Sequence, residues 1–142
     1  AGMFPAIDVG TSVSRIGGKA QAKAIARECK RLRLDYLQFL ELEMFTRFGT
    51  QLDEATRGKV ARGQLVRALL RQDLLAPRSV FYNMAWLIAL NEGWLDGLDA
   101  SHLESALERL RDEAGVGASV PELSAPRQTW VTWVAERLGR AL

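Results

Sequence analysis

The chain has 142 residues, 48% of them hydrophobic, a size that suits one domain with a single core. Its 19 basic and 17 acidic residues leave a net charge of only +2, which gives little support to nucleic-acid binding. The longest apolar run, Met84 to Leu90, is far shorter than the ~20 residues of a membrane span, and a signal peptide's basic start and apolar core are missing. We therefore expect a soluble, cytosolic domain.

The shortage of cysteine and histidine excludes several kinds of site. The single cysteine, Cys29, excludes an internal disulfide, and the single histidine, His102, excludes a histidine cluster for a metal. Nucleophilic catalysis by a Ser-His-Asp or Cys-His set is excluded for the same reason. We predict no metal site, and a packed or idle thiol at Cys29.

The first feature along the chain is a strand-like segment, Pro5 to Val9, followed by a loop that carries Arg15. No other segment offers this strand a partner. Ser12 and Ser14 precede Arg15, and Gly17 and Gly18 close the loop, so we expect the arginine to be displayed. Its planar guanidinium can bind two phosphate oxygens at once, although most arginines before helices only solvate or cap them.

The rest of the sequence predicts about five helices, from apolar residues at spacings of three and four. The expected helices run from Lys19 to about Phe48, from the N-cap Asp53 to near Gln72, from Pro77 in a first turn to Asn91, from the capping box Ser101–Glu104 to Gly115, and from about Arg127 onward. The third should be central. Trp130 and Trp133 of the last helix are predicted core residues, and the basic cluster at 30–33 is interpreted as a solvated face.

The N-terminal string is longer than a chance motif. Pro5-Ala6-Ile7-Asp8, followed after three residues by Ser12-x-Ser14, is similar to the pattern of the nucleotide-binding subunits of rotary ATPases. The flanks Val9-Gly10 and Arg15-Ile16-Gly17-Gly18 look like the alpha subunit, since the beta subunit usually carries Pro-Leu in place of Val9-Gly10. Phe45 to Asp53, Leu69 to Gln72 and Pro77 continue the likeness in order. The chain thus resembles the C-terminal domain of an ATP synthase (F-type) alpha subunit with its arginine-finger loop.

The resemblance implies an all-α helical bundle preceded by a remnant of a nucleotide-binding domain. Residues 1–18 would be the end of that domain and 19–142 the helical domain, with roughly the first fifteen residues expected to be poorly ordered or borrowed by a neighbouring copy. In the family the strand-like segment closes the sheet of the preceding domain. The sequence contains no Gly-x-x-x-x-Gly-Lys-Ser/Thr phosphate loop, so this chain cannot be the ATP-binding core by itself and is expected to be inactive alone.

The resemblance also implies roles for four residues. Arg15 would act at the catalytic site of a neighbouring beta subunit, and Ser12 matches a family position needed for activity. Ser14 would help to hold the loop beside bound nucleotide, and Gln72 matches a glutamine that lies against adenine. The cofactors would be ATP or ADP with magnesium in the full complex and none in this chain alone. Asp73-Leu74-Leu75 replaces the family's Gly-Gln-Tyr after this glutamine, which weakens the adenine contact.

The implied setting is the alpha-beta ring of a bacterial ATP synthase. The partners would be beta subunits and the gamma subunit of the central stalk, without nucleic acid, at the cytoplasmic face of the plasma membrane as a peripheral part. The alpha subunit is the regulatory, non-catalytic partner, and the coupled ion, proton or sodium, is set by subunits absent from this sequence.

Two alternatives come from other classes of protein. The chain could be a stand-alone helical interaction module whose loop happens to match the pattern. It could instead be a fragment of a beta-type or vacuolar-type ATPase subunit. The coding sequence upstream of Ala1 distinguishes all three.

Overall fold

The structure, a computed structural model, describes residues 8–9, 11–12, 14, 16–46, 53–72, 76–115 and 119–141. Six helices and no strand occur in this part of the chain, which confirms the predicted all-α class. They are α1 (Gly17–Ala20), α2 (Lys23–Thr46), α3 (Glu54–Leu70), α4 (Val80–Asn91), α5 (Ala100–Gly115) and α6 (Arg127–Leu138). The predicted strand-like segment lies outside the described residues except for Asp8 and Val9, which are in irregular and turn structure.

None of the helices in the described ranges combines the length and the hydropathy that crossing a bilayer requires.

The helix predicted from Lys19 to Phe48 is divided in two. α1 ends at Ala20, Gln21 forms a bend, and α2 begins at Lys23. Gly17 and Gly18 make up half of α1, and glycine is a poor helix former, so this first helix does not exceed about one turn. The predicted end at Phe48 lies outside the described residues.

The residues that cap the starts of α3 and α4 can be compared with the predicted ones. Asp53 is the N-cap of α3, as predicted, and its side chain accepts a hydrogen bond from the Thr56 N–H at 2.8 Å. The prediction for α4 is wrong, because the helix begins at Val80 rather than around Pro77. Ser79 caps it by accepting from the Tyr82 N–H at 3.1 Å, and a serine oxygen satisfies an N–H that a proline cannot.

The capping box predicted at Ser101 is also wrong. α5 begins at Ala100, and Asp99 accepts hydrogen bonds from the His102 N–H and the Ser101 hydroxyl, both at 2.9 Å. These contacts, with His102, hold the pKa of the Asp99 carboxyl well below its usual range. α5 ends at Gly115, and α6 begins at Arg127, as predicted.

The chain divides into two compact units. The first contains Cys29–Ala76 and the described residues up to Gly17, and the second contains Gly18–Glu28 and Pro77–Leu142. The residues of α2 up to Glu28 belong to the second unit and the remainder to the first.

The first unit has its core where α2 meets α3. Phe39 is fully buried, and its ring lies so close to Gly63 that a Cβ atom there would overlap it, at 2.0 Å from the ring. The Arg67 guanidinium lies 4.6 Å from the centre of the same ring and binds both Glu43 oxygens, at 2.8 and 2.7 Å. Glycine at 63 therefore allows the two helices to approach closely.

The second unit has its core in α4, which packs against α5 and α6. As predicted, α4 is central, since every residue from Met84 to Leu90 is buried. Trp130 is fully buried and packs edge-on against Trp133, with ring centres 5.9 Å apart. Both tryptophans are core residues, as predicted.

A buried carboxylate connects three helices of the second unit. Glu28, only 4% exposed, accepts hydrogen bonds from the Asn91 amide at 3.0 Å and from Arg127 at 3.1 Å, while Arg127 also binds Glu92 at 2.6 Å. Burial by itself would raise the pKa of the Glu28 carboxyl, but the hydrogen bonds from Asn91, Arg127 and Arg27 outweigh it and hold the pKa below its ordinary value of 4.5. The folded state therefore favours the charged carboxylate.

This pKa sets the direction of a pH dependence. Since the folded-state pKa of Glu28 lies below 4.5, its contribution to stability is complete above that pH and is lost as the pH falls through the folded-state value. Glu28→Gln should lower the free energy of unfolding by about 2–3 kcal/mol at neutral pH, because bonds to a charged acceptor are lost. The difference from wild type should shrink as the pH falls from 5 to 3 in urea titrations. Glu108→Gln, an exposed control on α5, should show no such convergence, and a constant difference for Glu28→Gln would contradict the assignment.

Candidate functional site

The predicted site lies in the segment from Pro5 to Gly18, together with Gln72; residues 8–17 of that segment are here called the Arg15 loop. Two local hydrogen-bonded turns define its described part. In the first, the Asp8 side chain accepts from the Thr11 N–H at 3.2 Å, and the Asp8 carbonyl accepts from the Ser12 N–H at 3.0 Å. Asp8 and Ser12 are exposed. Short polar side chains that bond nearby backbone N–H groups favour turns over regular structure, which accounts for the absence of a strand at Asp8.

The second turn ends the loop. The Ser14 hydroxyl accepts a hydrogen bond from the Gly17 N–H at 2.8 Å, at the start of α1. Ser14 lies three residues before the first residue of α1, and its hydroxyl satisfies one of the N–H groups that a helix start leaves without a partner inside the helix. Ser14 is exposed and Gly17 is half-buried.

Arg15, the predicted catalytic residue, lies outside the described residues, so its role stays a prediction. Of the other three predicted site residues, Ser12 and Ser14 belong to the Arg15 loop and contribute to its turns. Gln72 follows α3 and is exposed. Its side-chain amide donates one N–H to the Ala76 carbonyl at 2.8 Å, and a glutamine amide has a second N–H and a carbonyl oxygen besides.

A shallow hollow of about 270 Å³ lies within the first unit beside the Arg15 loop. Val9 and Ser12 line it from the loop, Leu70 lines it from the end of α3, and α2 supplies its remaining wall. The α2 residues are Cys29, Leu32, Arg33 and Tyr36. Ser12 and Leu70, the last residue of α3, therefore line the same hollow. Gln72 is two residues beyond Leu70 in the sequence and does not line the hollow. Cys29, half-buried there, occupies a helix as predicted.

The hydrogen-bonding roles of two loop residues, Asp8 and Gly17, were not predicted from the sequence. Asp8 closes the first turn, and Gly17 donates the bond that Ser14 accepts. The available signal was a spacing of three residues, Asp8 to Thr11 and Ser14 to Gly17, which is typical of an aspartate or serine side chain capping the N–H three positions later. The described part of the loop therefore contains two turns, each closed by a side-chain hydrogen bond, and binding residues often lie on such exposed loops.

Comparison with known proteins matches this chain to a protein family. The model of the "ATP synthase alpha/beta chain, C terminal domain" matches residues 21–119. The chain is 41% identical over 138 residues to the ATP synthase subunit alpha 1 of Legionella pneumophila (strain Paris), an alignment that covers 97% of this chain and 28% of that protein. It is 46% identical over 141 residues to the subunit alpha 1 of Hahella chejuensis (strain KCTC 2396), covering 99% of this chain and 28% of the relative.

A third relative has a slightly different name. The ATP synthase subunit alpha 2 of Syntrophus aciditrophicus (strain SB) is 46% identical over 118 residues, which cover 83% of this chain and 23% of that protein. The chain spans 28% of the length of the first two relatives and 23% of the third. The family match covers most of the chain, and these relatives all carry the alpha name. The chain therefore belongs to the ATP synthase alpha/beta C-terminal domain family, as an alpha-type member.

Proposed function

We propose that this chain is the C-terminal part of the regulatory, non-catalytic alpha subunit of a rotary ATP synthase. Such a complex couples ATP synthesis or hydrolysis to proton or sodium transport. The observation that carries the proposal is the alignment of nearly the whole chain, 97–99%, with relatives named ATP synthase subunit alpha. That coverage includes the Arg15 loop as well as the helices.

Within this proposal, Arg15 acts in trans. It reaches across a subunit interface to the γ-phosphate of ATP bound on a neighbouring beta subunit, where its guanidinium offsets the charge that develops on the transferred phosphoryl group. The motif around it supports this role, since Ser12, Ser14, Gly17 and Gly18 match the family pattern on both sides of Arg15 in the sequence. Arginine suits the task better than lysine because its fork of donors binds two oxygens at once.

The other predicted site residues take supporting roles. Ser12 and Ser14 belong to the turns that set the course of the loop toward the nucleotide. Gln72 would contact the adenine of the nucleotide on the alpha subunit through its amide oxygen or its second amide N–H, since one N–H donates to the Ala76 carbonyl. ATP or ADP with magnesium is the cofactor of the assembled complex.

The proposed partners are beta subunits and the gamma subunit of the central stalk. Their complex would be peripheral to the cytoplasmic face of a bacterial plasma membrane. The names and the bacterial sources of the relatives support this proposed setting.

The coding sequence upstream of Ala1 tests the proposed identity. We expect a Gly-x-x-x-x-Gly-Lys-Ser/Thr loop a few hundred residues earlier, followed by glutamine at the position where a catalytic beta subunit has glutamate. Glutamate there would assign the chain to the beta type. An initiator codon immediately before Ala1 would contradict the proposal and favour a stand-alone helical module.

A further inference from the structure

A hollow of about 580 Å³ lies within the second unit, where α2 and α6 begin. Residues 22–24 and Arg27 line it from α2 and the residue before it, and residues 123–126 and Arg127 line it from α6 and the loop that precedes it. Three of the described residues in this wall, Lys23, Arg27 and Arg127, are cationic, and none of them is acidic. This volume is here called the basic hollow.

A buried carboxylate fixes two of the three cations. Glu28, only 4% exposed, accepts hydrogen bonds from the Nε–H of Arg27 at 3.2 Å and from the Nε–H of Arg127 at 3.1 Å. Arg127 also donates through Nη2 to Glu92 at 2.6 Å. Both arginine side chains are partly exposed, and within the described residues the Nη groups of Arg27 and the Nη1 group of Arg127 have no hydrogen-bond partner. The two guanidinium groups are therefore held in place and keep N–H donors for a ligand.

Lys23 supplies the third cation. It lies four residues before Arg27, about one turn of α2, so the two side chains project from the same face of the helix. Lys23 is exposed, and its ammonium group has no hydrogen bond or ion pair with any described residue. Its positive charge is therefore available to an anion in the basic hollow.

The arrangement suits an anion whose oxygens point in several directions. One arginine fork is enough for a planar carboxylate, whereas a tetrahedral phosphoryl group accepts hydrogen bonds from several donors at once. Here the donors come from two helices, with Lys23 and Arg27 on α2 and Arg127 on α6. We propose that the basic hollow binds a phosphoryl oxyanion, supplied as inorganic phosphate or as the terminal phosphate of a nucleotide. The site lies wholly in the second unit and goes beyond the proposed function, in which it has no part.

The test titrates the 142-residue chain with inorganic phosphate at constant ionic strength and follows its backbone amide signals by NMR. The signals of Lys23, Ala24 and Ala125, three wall residues, should shift and saturate. Lys23→Gln should weaken phosphate binding about tenfold, the usual effect of losing one hydrogen bond to a charged group. Arg27→Gln should weaken it similarly. Lys23→Gln is the decisive variant if Arg27→Gln does not fold, because Lys23 makes no bond with the described residues that folding would lose.

Two further variants separate a specific site from general attraction between charges. Lys59→Gln removes an exposed lysine from α3 that does not line the hollow, and it should leave the affinity for phosphate unchanged. The exposed Glu122 carboxylate accepts from the hydroxyl of Ser124, a wall residue, at 3.0 Å. Glu122→Gln removes this negative charge beside the hollow and should tighten phosphate binding. Equal weakening by Lys23→Gln and Lys59→Gln would overturn the proposal.

Titrations with other anions identify the source of the phosphoryl group. If ADP without magnesium shifts the same amide signals and binds more tightly than inorganic phosphate, the ligand is a nucleotide phosphate. If ADP binds no more tightly, the ligand is inorganic phosphate. Acetate that binds as tightly as phosphate would contradict the assignment to a phosphoryl group. The absence of saturable shifts with both phosphate and ADP would overturn the proposal.

Discussion

Replacing Arg15 with alanine in the full-length subunit, assembled with its partners, should lower cooperative ATP turnover by about three to five orders of magnitude. Comparable losses follow removal of such an arginine from other nucleotide hydrolases, because it meets charge that spreads over the transferred phosphoryl group in the transition state. The domain should remain folded, since the buried side chains at the centre of each unit, such as Phe39 of α2 and Trp130 of α6, are unchanged. The measurement is multisite ATP hydrolysis of the purified complex.

Two control variants sharpen this prediction. Arg15→Lys keeps the charge but loses the planar fork, and its turnover should also be abolished. Lys30→Ala removes an exposed positive charge from α2 and should leave turnover unchanged. Normal turnover in Arg15→Ala would show that the arginine has no part in the reaction.

The largest expected effect on stability is at Trp130. Its side chain is fully buried, packs edge-on against Trp133, and donates its indole N–H to the Glu122 carbonyl at 3.1 Å. Trp130→Ala should lower the free energy of unfolding by about 3–5 kcal/mol, through lost apolar contacts and the cavity that remains. Trp130→Phe keeps most of the ring packing but leaves the carbonyl without its donor, and it should cost about 1–3 kcal/mol.

Urea unfolding of the 142-residue chain, followed by circular dichroism at 222 nm, measures these differences. Val80→Ala, at a position that is 42% exposed on α4, is the control and should change the free energy of unfolding by no more than about 0.5 kcal/mol. A loss below about 1 kcal/mol for Trp130→Ala would mean that α6 does not depend on this tryptophan for its packing.

Much of the helical architecture could be predicted from the sequence, because apolar periodicity and caps are local. Asp53, Asn91 and Arg127 were assigned correctly to helix ends. The errors arose where two residues compete for one role. Ser79 caps α4 although Pro77 also fits a helix start, and Asp99 takes the position at α5 that was predicted for Ser101. The spacing of apolar residues does not show which of two nearby capping residues begins the helix.

Less of the candidate site than of the helical architecture could be predicted from the residues alone. Composition and spacing indicated only a displayed arginine, and its proposed role came from resemblance to a family. Contacts between residues distant in sequence were not foreseen, such as the approach of Phe39 to Gly63 or the bonds from Arg127 and Asn91 to Glu28. These depend on how helices pack, which periodicity does not specify. The Ser14–Gly17 cap is local, and its spacing could have been recognised.

The most direct measurement of whether Arg15 meets a neighbour's phosphoryl group is the affinity of the assembled complex for a transition-state mimic. ADP with magnesium and a planar fluoroaluminate reproduces the geometry of phosphoryl transfer, whereas ADP with magnesium alone reproduces a bound ground state. In Arg15→Ala, affinity for the mimic should fall by orders of magnitude while affinity for ADP stays near that of wild type. Equal affinities for the mimic in wild type and Arg15→Ala would contradict the proposed function of Arg15.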